Sequence, residues 1–286
     1  DEEGAALPDV FVGCGVGCRA VALREVGGLY RTFFMQAEEY DLSFRLEAAG
    51  WKVRVFDDIH VTHLKTAHAR RSERTTYLDT RNNLRVIARY LPSPAHTIYR
   101  DDCVQRYDWL AQTQGHQAAF TRGTRTGRRR GWLERARFHR WRISPETFER
   151  FFRWNEIERR MRELADRGTR RILLADIGKN IHPFVRATEL SGLQITAIAD
   201  DRFAAPDRNY RGTRLLTLAE ALRTDFDAVV ISNPAPIHAA RSRRQLERST
   251  EAPIHSWFER SQAGADGFAF SPPTPASDDI PVTAGA

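Results

Sequence analysis

The feature that most constrains the fold is an alternation of short apolar runs with helical segments after residue 170. The apolar runs predict buried strands at residues 171–176, 193–199 and 228–231. The segments between and after them predict helices at residues 182–190, 218–223 and 237–248. Strands that alternate with helices favour a parallel sheet, because each helix returns the chain to the edge where the next strand begins. We therefore predict a Rossmann-like parallel α/β domain over residues 169–260.

The ends of the first two predicted strands carry a possible nucleotide site. Gly178 follows the first strand, and Asp200 follows the second. In dinucleotide-binding folds a glycine at the first position approaches phosphate and an acid at the second binds ribose. The Gly-x-Gly-x-x-Gly fingerprint is absent, because only Gly178 remains and Pro183 lies in the first helical turn. We therefore favour a structural or docking role for this region over nucleotide binding, and NAD(P) is not expected.

A basic segment precedes this domain. The formal net charge is +7, and nine arginines lie between Arg122 and Arg142, interleaved with Trp132, Phe138 and Trp141. Arginines mixed with aromatic residues suit an anionic surface, either phospholipid headgroups or nucleic-acid phosphate. We find no helix-turn-helix, zinc or RNA-recognition pattern, so a membrane surface is favoured over nucleic acid. The alternative is that the segment is only a solvated linker with no such partner. We assign residues 92–168 to a basic linker followed by a connecting helix, Pro145–Arg167.

Bulk properties limit the setting of the protein. No run approaches the ~18–20 apolar residues that a membrane-spanning helix requires. Three cysteines are too few for a disulfide framework, so we expect a cytoplasmic protein, peripheral at the inner face of the membrane. Residues 261–286 are rich in Gly, Ser, Pro and Ala, and we expect them to be disordered. The first residue is Asp1 rather than Met, so a fragment or a processed protein is expected.

Three carboxylates occupy four positions at the start of a predicted helix, residues 39–49. They belong to Glu38, Glu39 and Asp41, and they directly follow an aromatic run. Backbone amides at a helix N-terminus favour negative charge, whereas like-charged neighbours raise proton affinity. An ionised carboxylate in that setting can remove a proton from a hydroxyl group. The alternative is an acidic cluster that only caps the helix.

Further elements surround this acidic helix start. Strands are predicted at residues 10–13, 51–56 and 59–63, and helices at residues 20–26 and 74–90. A glycine-rich turn, Gly13-Cys-Gly15-Val-Gly17, precedes a Val26-Gly-Gly-Leu29 segment and the Glu38-Glu39-Tyr-Asp41-Leu42 helix start. Gly50-Trp51 and His63 follow in order. This series closely resembles the C-terminal half of the catalytic domain of family-two inverting nucleotide-sugar glycosyltransferases, with the rhamnosyl- and galactofuranosyl-transferase branches nearest. It covers about residues 10–91.

The resemblance implies a GT-A-type fold for residues 1–91 and a role for each matching residue. Glu39 takes the place of the general base, with Glu38 and Asp41 as supporting carboxylates. Many relatives have Asp at the base position, so the choice between Glu38 and Glu39 stays open. His63 takes the place of a histidine that helps to hold Mn²⁺ or Mg²⁺, although a hydrogen-bonded strand-end histidine is the alternative.

Three further positions match substrate-binding candidates of the family. Gly15 and Gly17 would let the backbone approach substrate closely, or would simply form a tight turn. Arg81 matches an arginine of the helix that follows the site, where packing is favoured over substrate contact.

The reaction implied by the resemblance is a single displacement with inversion. A saccharide or lipid-linked acceptor attacks the anomeric carbon of a nucleotide-sugar donor, in the synthesis of a cell-surface polysaccharide or glycolipid. The family's donor-binding half, with its Asp-x-Asp metal motif, is expected before Val10, so we expect this chain alone to be inactive. The alternatives are an oxidoreductase or another NAD(P)- or nucleotide-binding Rossmann-like protein, and a non-catalytic scaffold.

Overall fold

The structure is a computed structural model that describes residues 7, 10–54, 56, 61–62 and 72–258. This part of the chain has an α/β fold, with helices before residue 167 and a six-stranded sheet after residue 170. The helices are α1 Ala20–Val26, α2 Glu38–Ala48, α3 Glu73–Tyr90, α4 Ala95–Gln114, α5 Gln117–Arg137, a 3₁₀ helix His139–Trp141, α6 Pro145–Phe152, α7 Trp154–Asp166, α8 His182–Leu190, α9 Leu218–Ala221 and α10 Pro236–Leu246. The strands are β1 Arg171–Ala175, β2 Gln194–Ala199, β3 Asn209–Tyr210, β4 Thr213–Leu216, β5 Ala228–Ile231 and β6 Ile254–His255.

The sheet has the order β3-β4-β2-β1-β5-β6, and every neighbouring pair except β3–β4 is parallel. The predicted α/β fold is therefore confirmed, but the sheet is mixed. The antiparallel pair is a hairpin whose central residues, Arg211 and Gly212, both have positive φ. That backbone is typical of the tight two-residue turn that matches the twist of paired strands.

The basic segment is not a linker. Residues 117–137 form α5, which packs along α3 through a stripe of buried glycines, Gly123, Gly127 and Gly131. A Cβ atom at Gly123 would lie 2.9 Å from the carbonyl oxygen of Tyr77, so only glycine allows this approach. The sequence concealed this helix because glycine has low helix propensity and the segment lacks an apolar stripe.

The connecting helix predicted over residues 145–167 is two helices. Arg153, with φ of 56°, ends α6, and α7 begins at the next residue. Phe151 and Phe152 pack with Phe44 of α2, whereas Ile157 and Met161 belong to the core beneath the sheet. The break at Arg153 therefore changes the direction of the chain, so that α6 packs in one core and α7 packs in the other.

The strands predicted before residue 57 are wrong for the described residues. Residues 10–12, 51–54 and 56 have no strand structure. Phe11 and Trp51 pack against α1 and α2 instead, and no described strand lies beside them to bind their backbone groups. The strand predicted at residues 59–63 lies outside the described residues except for 61–62, which are not in a strand, and the tail of residues 261–286 lies wholly outside them.

In the part of the chain that the structure describes, no helix is both long enough and apolar enough to cross a lipid bilayer.

Candidate functional site

The segment that leads into α2 has a strained backbone. Phe34, Gln36 and Ala37 have φ of 65°, 73° and 64°, in the left-handed region that residues with a Cβ atom seldom adopt. Each such residue costs roughly 1–3 kcal/mol, so the conformation persists only where surrounding contacts hold it. Phe34 is also 69% exposed, with the guanidinium of Arg74 stacked over its ring. Strain of this kind clusters at functional sites.

Side chains of α3 hold this strained segment in place. The amide nitrogen of Asn82 donates to the carbonyl oxygens of Phe33, Met35 and Gln36, at 3.0, 2.8 and 2.8 Å. The guanidinium of Arg81 donates to the carbonyl oxygens of Thr32 and Phe33. The guanidinium of Arg81, a substrate-binding candidate, is thus engaged with backbone carbonyl oxygens. The pair positions the start of α2.

Glu39 and Glu38 lie at the end of the strained segment in different surroundings. Glu39 is half-buried, and a Cβ atom at Gly13 would lie 3.2 Å from its Oε1, so the carboxylate rests against the glycine-rich turn. Glu38 has a buried Oε2 with no hydrogen-bond partner among the described residues. Burial raises the pKa of Glu38. A backbone hydrogen bond lowers this pKa, whereas the negative charges of Glu39 and Asp79 raise it further.

Asp41 is separated from this pair although it lies in the same helical turn. Its carboxylate is fully buried and accepts hydrogen bonds from Arg45, Arg89 and Tyr90, at 2.6, 2.7 and 2.6 Å. Arg45 Nε donates a further bond at 3.1 Å. Four donors occupy the lone-pair directions of a carboxylate, so Asp41 has none left for a substrate. Asp41 anchors α2 and supports the neighbouring glutamates only by fixing their position.

The remaining candidates of the N-terminal part lie on or near the glycine-rich turn. Gly15 and Gly17 are exposed; a Cβ atom at Gly15 would lie 3.2 Å from Val61, whereas nothing lies within 4 Å of one at Gly17. The turn is therefore exposed, and Gly13 is the glycine of the turn that contacts Glu39. His63, the expected metal ligand, lies outside the described residues. Within the ranges that are described, no three His, Cys, Asp or Glu side chains are grouped closely enough to hold a metal ion.

A lysine in the loop that follows β1 lies close to α2 and α3, and the sequence alone does not predict this contact. Lys179 follows β1, and its Nζ lies 3.3 Å from Oδ1 of Asn83 and 4.9 Å from the centre of the Tyr40 ring. Asp79, one turn before Asn83 on α3, has a pKa raised by burial, which the positive charge of Lys179 opposes. No local pattern distinguishes Lys179, because its partners belong to distant helices.

The loop that follows β1 is docked into the helical part of the protein. Arg106 of α4 donates to the carbonyl oxygen of Ile177, and the hydroxyl of Tyr99 donates to Oδ1 of Asn180. The amide of Asn180 donates in turn to the carbonyl oxygen of Phe152 at 2.9 Å. These contacts cover the carboxyl end of β1, where open parallel sheets usually bind ligands.

Asp200 and Gly178, the two candidates for dinucleotide binding, both contact other residues of the protein. The carboxylate of Asp200 accepts hydrogen bonds from the backbone amides of Ile177, Arg202 and Phe203, at 3.0, 2.9 and 3.2 Å. Gly178 packs against Asn233, whose Cγ would lie 3.2 Å from a Cβ atom at position 178. Both residues therefore make contacts that hold the docked loop, and the structural or docking role favoured from the sequence stays a prediction.

Comparison of the chain with protein-family models, with curated proteins and with solved structures finds no match.

Proposed function

We propose that this chain carries the acceptor side of an inverting nucleotide-sugar glycosyltransferase of the GT-A type, with Glu39 as the general base. The observation that carries the proposal is the placement of Glu39. Its carboxylate lies at the end of a strained segment that Asn82 holds with three hydrogen bonds, and it faces an exposed glycine-rich turn. A base needs such a fixed position together with space for the hydroxyl that it deprotonates.

The two glutamates differ in their fitness for this role. A general base must be ionised before it accepts a proton, and burial raises the pKa of Glu38. Glu39 lies against the exposed glycine-rich turn, whereas Oε2 of Glu38 is buried. These observations favour Glu39 as the base and Glu38 as a supporting carboxylate.

The proposed reaction is one displacement at the anomeric carbon. Glu39 takes the proton of the acceptor hydroxyl, and the acceptor oxygen forms a bond to the anomeric carbon on the face opposite the nucleoside diphosphate. The bond between that carbon and the diphosphate oxygen breaks, and its electron pair leaves with the diphosphate. A divalent cation, expected near His63, and a cytoplasmic location belong to the same proposal.

The test is sugar transfer by the protein as its gene encodes it, with a panel of nucleotide sugars and saccharide acceptors. We expect Glu39→Gln to lower kcat by about 10²- to 10⁴-fold, the usual contribution of a general base. Glu38→Gln should have a smaller effect, and Glu163→Gln, on the partly exposed surface of α7, should have none. Full activity in Glu39→Gln would rule out the base assignment.

The nucleotide-binding alternative is tested by titrating NAD(H) and NADP(H) against the chain. The docked loop and the engaged carboxylate of Asp200 lead us to expect no saturable binding. Binding that Asp200→Ala abolishes would favour the alternative function.

A further inference from the structure

The packing of α5 determines which of its residues face outward. The glycines Gly123, Gly127 and Gly131 lie against α3, so the opposite side of the helix is exposed. Six arginines of α5 are exposed, and we call this surface the arginine face: Arg122, Arg125, Arg128, Arg129, Arg130 and Arg137.

The arginine face carries little compensating negative charge. The single acid of α5, Glu134, is turned inward, where it accepts hydrogen bonds from Arg85 and Arg89 at 2.6 and 2.9 Å. Of the six arginines, only Arg122 comes within 4 Å of a carboxylate of a described residue, that of Glu73 at 3.9 Å. The face therefore presents a concentrated positive charge to its surroundings.

Two apolar side chains interrupt this charged surface. Trp132 is 75% exposed and Leu133 is 53% exposed, next to each other in the last third of α5. Exposed tryptophan beside arginine is typical of helices that lie at the boundary between lipid headgroups and acyl chains.

A basic groove lies beside Trp132, between α3, α4 and α5. Its volume is about 390 Å³, and its lining includes Arg100, Arg128, Arg135 and His96. Burial, together with the charges of Arg135, Arg100 and Arg142, lowers the pKa of His96 to about 4. The groove is a concavity with three arginines in its lining, of which Arg100 also pairs with Asp101 at 2.9 Å, and it has room for a phosphate group.

We propose that the arginine face docks on a membrane that contains anionic phospholipid, with a lipid phosphate in the groove beside Trp132. Charge complementarity selects an anionic surface, and the exposed Trp132–Leu133 pair selects a lipid boundary over nucleic acid. The docking does not depend on the assignment of Glu39, since none of its residues belongs to that site.

The test is cosedimentation of the chain with vesicles of phosphatidylcholine alone and with vesicles that contain about 30% phosphatidylglycerol. We expect binding only to the anionic vesicles, and its loss in about 0.5 M NaCl, where charges are screened within a few ångströms. The variant Arg125→Glu/Arg128→Glu/Arg129→Glu should bind at least about tenfold more weakly. Trp132→Ala should weaken binding without changing its salt dependence.

A matched control distinguishes docking through the arginine face from a general effect of the net charge of the chain. Arg223→Glu/Arg241→Glu/Arg248→Glu makes the same change in charge at exposed positions of the sheet domain, and it should bind like the parent chain. Equal loss in both triple variants, or absence of binding to anionic vesicles by the parent chain, would overturn the proposal. Tighter binding to a single-stranded oligonucleotide than to vesicles, lost in the α5 variant, would assign the face to nucleic acid instead. Circular dichroism of each variant verifies that it is folded.

Discussion

Asp41 on α2 accepts a 2.7 Å hydrogen bond from the guanidinium of Arg89 on α3, and both side chains are buried. The same guanidinium donates to Glu134 of α5 at 2.9 Å and lies over the rings of Tyr30 and Phe138, at 4.2 and 4.3 Å from their centres. One cation therefore joins three helices. Through this network the acidic start of α2 is fixed to the helix pair that carries the arginine face.

We expect Asp41→Asn to lower the free energy of unfolding by about 3–5 kcal/mol, because buried Arg45 loses its carboxylate partner and buried Arg89 keeps only Glu134. Urea unfolding at neutral pH measures the loss. Glu163→Gln, which removes the exposed pair with Arg159, should cost at most about 1 kcal/mol. A similar cost for the two substitutions would show that the Asp41 network contributes no more than a surface ion pair.

Gly123→Ala tests the close approach of α5 to α3. The added Cβ would lie 2.9 Å from the carbonyl oxygen of Tyr77, so we expect a net destabilisation of about 1–3 kcal/mol despite the higher helix propensity of alanine. Gly17→Ala is the control, since nothing lies within 4 Å of its Cβ. Thermal unfolding compares the two, and a stabilised Gly123→Ala variant would contradict the glycine contact.

Lys179→Met tests the docking of the sheet against the helices. It removes the cation beside Asp79 and Asn83, and we expect a loss of about 1–3 kcal/mol in the free energy of unfolding. Lys52→Met is the matched control, because Lys52 is half-exposed and its partner Glu47 keeps Arg150. If urea unfolding detects no difference between the variants, Lys179 does not contribute to docking.

His182 makes stability depend on pH. Burial and the charges of Arg211 and Arg186 together lower its pKa from 6.5 to about 4, and its ring lies 5.3 Å from that of Trp154. The unfolded chain therefore binds a proton between these pH values that the folded protein does not. The contribution is full above pH 6.5 and is lost as the pH falls towards about 4.

We expect His182→Phe to reduce the difference in unfolding free energy between about pH 7 and about pH 5 by on the order of 1 kcal/mol. Urea unfolding at both pH values measures it. His139→Gln, at an exposed position, should leave the difference unchanged. An unchanged pH dependence in His182→Phe would mean that other groups cause it.

Sequence patterns predicted the helices and strands whose boundaries depend on residues that are close together in the chain. The bounds of α1, α8 and β5 are those expected, and α2 and α3 begin one residue before their predicted starts. These segments have either apolar periodicity or a clear terminating residue such as Gly27 or Pro92. By contrast, α5 was concealed, since its glycines weaken a free helix and help only when α3 lies against them.

For the candidate site too, the sequence predicted some features and the tertiary structure decided the others. The sequence by itself determined the α/β class and the three carboxylates at the start of α2, because helix periodicity and charge at a helix end are local properties. Only the tertiary structure decided that Asp41 turns inward to Arg45, Arg89 and Tyr90. It also decided that Glu39 lies against the exposed glycine-rich turn and that Lys179 reaches Asn83 of α3. Burial and hydrogen-bond partners depend on residues far apart in the chain, and they determine which carboxylate is available for chemistry.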